Sequence, residues 1–260
     1  MITKTIKKAL FFVLKTLKFL IIGSSKKNHR KRDYILIPVY AILIASVVRS
    51  LFFDHFHVPS GSMLNTLQIG DKIAISKLSY GYSRFSFPFG LAPIEGRIFQ
   101  KNTPQRGDII VFKLPSDERT NYVKRLIGLP GDVIRLHNGI LEINGASVKR
   151  QKVEGNDEYT TFIETLPSGV KYKVLEYNDD SIADNMPLIF VPDNHYFFMG
   201  DNRDRSQDSR FKEVGFVHEE LLLGKVKRIV ISSPNSLMNP IAWHKLRTDR
   251  LWKNPYEISE

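Results

Sequence analysis

The chain has 260 residues, 42% of them hydrophobic and 25% charged, enough for one large domain or two modest ones with a proper core. Its formal charge of +11 raises nucleic acid or anionic lipid as partners, but residues 1–33 hold ten Lys or Arg and one acid, a net of +9, leaving +2 for everything else. That distribution argues against a basic nucleic-acid face on the main body, and the lack of cysteine removes thiol nucleophiles, thiolate metal sites and disulfides.

In chain order, the basic segment 1–33 comes first. Its apolar run ALFFVLKTLKFLII, residues 9–22, is interrupted by Lys15 and Lys18 and is short for a spanning helix. It reads as an interfacial amphipathic helix on the cytoplasmic leaflet in preference to a second span. Residues 34–53, YILIPVYAILIASVVRSLFF, carry one charge, Arg49, in twenty positions. As a helix they cover about 30 Å, the thickness of a bilayer's hydrocarbon core, and so predict a transmembrane anchor. Arg49 sits near enough to the end to snorkel, and the cluster SSKKNHRKR before the span keeps that flank cytoplasmic. Everything after Phe53 then faces outward.

From residue 69 onward, short apolar runs are cut at close intervals by Gly, Pro, Asn and Asp: IGDKIAIS, RGDIIVFKL, YVKRLIGL, DVIRL, ILEI, HYFFMG and GKVKRIVIS. Sustained helical periodicity is absent, so the exported part, 54–148 and 193–260, reads as an all-β domain, a barrel or folded sheet. VIRLH and ILEI are joined by Asn138-Gly139, the pair a tight hairpin demands, and Asn144-Gly145 follows at once. Residues 149–192 are polar and loop-rich, with longer gaps between strand candidates, and read as a variable β insertion without chemistry of its own. EELLLGK, after His218, looks helical.

Three stretches carry candidate chemistry. In HVPSGSMLNTLQIGDK, residues 57–72, Ser62 sits in a small-residue turn soon after the anchor. Alone it reads as a capped loop serine, and a nucleophilic role requires a base within hydrogen-bond reach. No G-x-S-x-G is present, and His137, His195 and His218 all read as structural. His55 and His57 lack a third metal ligand at sensible spacing.

Lys124, in NYVKRLIGLPGD, is the alternative base. In an alternating strand it shares a face with Tyr122 and Leu126, while Val123, Arg125 and Ile127 take the other. An ordinary lysine is neutral in only about one molecule in 2,500 at pH 7; bringing its pKa to ~7 takes about 4.6 kcal/mol of preference for the neutral form, which apolar burial can supply. The ordinary reading is a snorkelled or edge lysine. The third stretch, MGDNRDRSQDSR, residues 199–210, fails the EF-hand spacing, since Arg203 stands two places after Asp201. It reads as a self-paired loop, its carboxylates held by Arg203 and Arg210, from which Ser206 or Ser209 can be presented to a neutral lysine.

With these pieces named, the sequence closely resembles bacterial type I signal peptidase, the membrane-bound leader peptidase family. The likeness rests on PSGSMLNTL (59–67) behind an anchor, RGDIIVF (106–112), YVKRLIGLPGD (122–132) and GDNRDRSQDSR (200–210), in that order. The resemblance implies Ser62 as nucleophile, Lys124 as general base, the Ser60 hydroxyl as an oxyanion donor beside the Ser62 N–H, and Ser206 as the hydroxyl that orients the lysine. It further implies a salt-bridged support loop of Asp201, Arg203, Asp208 and Arg210, no cofactor or metal, and exported preproteins as substrates. The location it implies is the bacterial inner (cytoplasmic) membrane, bound to lipid, to which the hydropathy and the basic flank add a single span with the catalytic domain outside. One residue departs from the family pattern: Asn65 stands where proline is usual.

Geometry favours the same substrate class. Nine residues from Phe53 to Ser62 reach at most about 31 Å, so the serine stays near the outer membrane surface, where a spanning signal peptide presents its cleavage site. Two other readings stand beside this one: a related serine/lysine peptidase with a dedicated substrate, and a membrane-tethered β binding module whose Ser and Lys are structural.

Overall fold

The computed structural model describes residues 37–42, 52–87, 93–177, 181–234 and 245–258. The chain divides into two compact units, Met1–Leu51 and Phe52–Glu260. In the first unit the described residues 37–42 are helical and exposed. The expected interfacial helix at 9–22, and most of the expected anchor at 34–53, lie outside the described residues. No described helix is long and apolar enough to cross a membrane. Phe53, taken above as the last anchor residue, is instead the first residue of a strand and pairs with Ser76.

The second unit is mainly β, as its punctuated apolar runs predict. In chain order the strands are β1 Phe53–His57, β2 Asp71–Ser76, β3 Ile109–Leu114, β4 Asp117–Gly128, β5 Val133–His137, β6 Ile140–Ile143, β7 Ala146–Ser147, β8 Lys149–Gly155, β9 Tyr159–Thr165, β10 Lys171–Tyr177, β11 Met186–Phe190, β12 His195–Met199, β13 Val217–His218 and β14 Leu222–Ser232. They form a seven-stranded sheet in the order β1-β2-β14-β3-β4-β12-β13, a four-stranded sheet β11-β5-β6-β7, and a three-stranded sheet β10-β9-β8. The hairpin turn falls where Asn138-Gly139 puts it: His137 faces Ile140, and both turn residues have positive φ, 49° and 73°. That geometry matches the right-handed twist of the paired strands.

Alternation along the central strands feeds separate cores. Ile109 and Val111 pack with Ile73, Ile75, Val226 and Ile229, whereas Ile110 and Phe112 pack with Leu126 and Phe198 on the opposite side. EELLLGK is not a helix; Glu219–Leu221 make one 3-10 turn, and β14 begins at Leu222, which is fully buried against Phe112.

The segment 149–192 is the expected β insertion, but richer in strand and more closely packed into the domain than its polar composition suggests. It contributes the whole of the three-stranded sheet plus β11, which pairs with β5. Leu166, Tyr172, Val174 and Val191 share one buried cluster with Ile127, Ile134, Phe197 and Met199. At roughly 1.5–3 kcal/mol for each large apolar side chain fully buried, that shared core makes this segment part of the domain's stability.

Candidate active site

The loop between β1 and β2 carries Ser62. Val58, Met63 and Leu67 are at most 1% exposed and pack into the core under β2 and β14, pinning the loop on both sides of the serine. Backbone bonds close it: Val58 N–H donates to Asp71 O at 2.9 Å, and Leu67 N–H to Met63 O at 2.7 Å. The GDNRD segment holds it from the other side. Asn202 N–H donates to Ser62 O at 3.1 Å, and Asn202 Nδ2 to Gly61 O at 3.0 Å. This approach needs a glycine at 200, because a Cβ there would lie 2.5 Å from Ser62 O and 2.2 Å from Ser206 Oγ. Ser62 itself is 7% exposed.

β4 delivers the amine. Lys124 Nζ lies 2.7 Å from Ser62 Oγ and donates also to Val123 O at 3.2 Å. Its approach to the Tyr122 ring, 5.1 Å from the centroid, agrees with the two side chains sharing a face of the strand. Burial disfavours the ammonium and lowers the pKa of Lys124 to about 8, although Asp208 and Asp201 pull the other way. At pH 7 about one lysine in ten is then neutral, instead of about one in 2,500. Ser60 Oγ stands 3.5 Å from Ser62 Oγ.

The support loop is paired differently from the expectation. Only Asp208 and Arg210 pair within it, with Arg210 Nε on Oδ1 at 2.8 Å and Nη2 on Oδ2 at 2.9 Å. Asp201 is gripped instead by Arg125, at 2.8 and 2.6 Å, and takes a hydrogen bond from Thr66 Oγ1 in the Ser62 loop at 2.5 Å. Arg203 reaches out of the loop to Glu164 on β9, at 3.0 and 2.5 Å, and Tyr172 OH donates to Glu164 Oε2 at 2.6 Å. Burial opposes a charge on Glu164, but Arg203 and the Tyr172 hydroxyl outweigh it and hold the carboxyl below the ordinary range. Asp208 is likewise buried and likewise held low, by Arg210 and the Gly200 N–H.

Ser206 is buried, yet its Oγ forms no hydrogen bond, so the expected contact with Lys124 is not made. It lies beside Asp208 and favours that carboxylate's ionised form. Ser209 is engaged elsewhere in the fold: its Oγ accepts from Phe198 N–H at 3.0 Å.

Arg125, Thr66, Asn202, Glu164 and Tyr172 were not singled out by sequence. Arg125 had a local signal, a charge on a strand face otherwise occupied by Val123 and Ile127. Glu164 had a weaker one, a lone acid in the apolar-flanked run FIETL.

Ser62 and Lys124 open into a cleft whose apolar walls include Phe56, Pro59, Ile73, Val111 and Val123, with Arg205 and Gln207 also lining it. Among the described residues no group of three His, Asp or Glu is placed to hold a metal ion. A buried hydroxyl, an amine shifted toward neutrality within hydrogen-bond reach and an extended cleft suit nucleophilic attack on a carbonyl by a serine peptidase.

The chain belongs to the signal peptidase family, peptidase S26, whose model matches residues 31–231. Among similar curated proteins, signal peptidase I of Rickettsia typhi (strain ATCC VR-144 / Wilmington) is 36% identical, the match covering 91% of this chain and 98% of the relative. Signal peptidase I of Rickettsia prowazekii (strain Madrid E) is 38% identical, over 85% of this chain and 92% of that protein. A crystal structure of a signal peptidase I from Enterococcus faecalis V583 matches at 31% identity with a TM-score of 0.32, over 48% of this chain and 97% of that one.

Proposed function

We propose that Ser62 and Lys124 are the working dyad of this signal peptidase. The chain is a serine endopeptidase that removes signal peptides, as its family and its curated relatives indicate. The observation that carries the residue assignment is the 2.7 Å contact between a buried lysine and a buried serine at the base of an open cleft.

In this reading neutral Lys124 takes the proton from Ser62 Oγ as that oxygen attacks the scissile carbonyl. The tetrahedral oxyanion is received by the Ser62 N–H and the Ser60 hydroxyl, a donor of this kind being worth about 3 to 4 kcal/mol. Collapse expels the amine of the mature protein, which takes the proton from Lys124. The lysine, neutral again, then activates the water that hydrolyses the acyl-enzyme. Asp201, Arg203, Asp208 and Arg210 act behind the dyad, holding the loop that carries the Ser62 and Gly61 carbonyls. Ser206, whose buried hydroxyl has no hydrogen-bond partner, is the candidate to orient Lys124.

The apolar run from residue 34 up to the start of β1 serves as the membrane anchor, with the basic segment 1–33 on the cytoplasmic side and the catalytic unit outside. Composition supports this: a single charge, Arg49, in the run, preceded by the strongest basic cluster of the chain. Substrates are then exported preproteins, met at the membrane surface. The test is cleavage of a model preprotein in detergent by the full chain. Ser62→Ala and Lys124→Ala should each lose processing while still unfolding in one cooperative transition; full activity in Lys124→Ala would overturn the dyad, and activity in Ser62→Ala the nucleophile.

A further inference from the structure

We propose that Arg205 makes the cleft select preproteins with an acidic residue within a few positions of the scissile bond, a reading that rests on the Ser62 and Lys124 assignment. The residues that line the cleft include no carboxylate. Arg205, in contrast, lines it and is exposed, with its guanidinium 4.0 Å from the centroid of the Tyr177 ring.

The other arginines of this loop are committed: Arg203 is buried on Glu164 and Arg210 on Asp208. Among the described residues no carboxylate pairs with Arg205. Among the described residues it is therefore a positive charge at the cleft without a counterion. Stacking on Tyr177 limits its orientations, so less rotamer freedom remains to be lost when a partner binds. A guanidinium lying over a ring keeps in-plane N–H groups available for a bidentate contact with a carboxylate. The platform is itself fixed, since Tyr177 ends β10 and its N–H donates to Asp204 Oδ2 at 2.7 Å, one residue before Arg205.

Screening limits the reach of one exposed charge to about 8 Å at physiological salt, which confines the preference to residues near the scissile bond. Exposed ion pairs of this type favour a matched partner by about two- to fivefold. The same field acts against a lysine or arginine at the same position.

The experiment uses the full chain in detergent and a peptide series identical except for Asp, Asn or Lys at each of three positions on either side of the scissile bond. The wild type should show, at one position or more, kcat/KM in the order Asp over Asn over Lys. Arg205→Gln should level that order, Arg205→Glu should invert it, and added salt should compress it in the wild type. A flat wild-type response at every position overturns the proposal, as does a preference that persists in Arg205→Glu. Failure of the wild type to cut any peptide would instead overturn the dyad reading, and this one with it.

Discussion

Lys124 Nζ and Ser62 Oγ lie 2.7 Å apart although 62 positions separate them in sequence. The strand β4 brings one and the pinned loop after β1 brings the other, so the contact exists only in the folded domain. Because the base must be neutral to act, kcat/KM should rise with pH on a single limb centred near 8, the value to which burial lowers Lys124. Between pH 7 and the plateau the gain is about tenfold. A profile from pH 6 to 10 on a model peptide checks this. A limb near 10.5 would show a lysine left at its ordinary value, and one near 6.5 would point to histidine.

The same shift has a cost in stability, and its sign can be worked out. Below pH 8 both folded and unfolded chains hold the proton, and the fold bears the full penalty of a buried ammonium. Between 8 and 10.5 the unfolded chain binds more protons, so this contribution to stability rises with pH. The penalty is about 3 kcal/mol at pH 7 for a side chain 4% exposed. Lys124→Met should therefore raise the denaturation midpoint at pH 7, and its advantage should shrink toward pH 10. An unchanged midpoint at pH 7 would mean that the amine is better solvated than its burial implies.

The strands were legible from local pattern, whereas Ser62 and Lys124 were paired only through the family resemblance. Asn138-Gly139 marks its own hairpin, and the apolar setting of Lys124 marks its burial. The ion pairs were less legible, because a charge does not announce a partner on another strand. The alternating charges place the partner of Asp201 within its own loop, yet it faces Arg125 on β4. Arg203 was matched within its loop, yet it faces Glu164 across the sheet interface. Polar residues such as Glu164 and Arg150 made 149–192 look solvated, when those charges are inside and paired with one another or with the support loop.

Asn65 bears on the turn that follows the nucleophile. Its φ is 76°, a left-handed conformation that asparagine and glycine tolerate and that proline, locked near −65°, cannot adopt. The residue usual in the family therefore does not fit this turn as it is built here. Asn65→Pro should lower stability by about 1–3 kcal/mol and reduce cleavage, whereas Asn65→Gly should stay close to wild type in both. Thermal melts and peptide turnover on the two variants decide the matter. A proline variant as stable and as active as wild type would show that the turn readily takes the other conformation.

Glu164 and Arg203 tie the segment 149–192 to the loop that holds Ser62. Each is about 1% exposed, and the backbone pairing runs alongside them, with Leu175 N–H donating to Asp201 O and Arg203 N–H to Leu175 O, both at 2.8 Å. Glu164→Ala leaves a buried guanidinium without its counterion, for which the expected loss is about 3–5 kcal/mol; Glu158→Ala, at an exposed position of the same segment, should stay within about 0.5 kcal/mol of wild type. Replacing both partners, Glu164→Leu with Arg203→Met, removes the stranded charge and should recover a large part of the loss. Denaturant melts measure the stability, and turnover assayed below the melting range measures the effect on the site. Since Asn202, flanked by these contacts, donates to the Gly61 and Ser62 carbonyls, Glu164→Ala should also lower kcat while still folded. A variant that melts early but turns over at the wild-type rate would confine the ion pair to holding the fold.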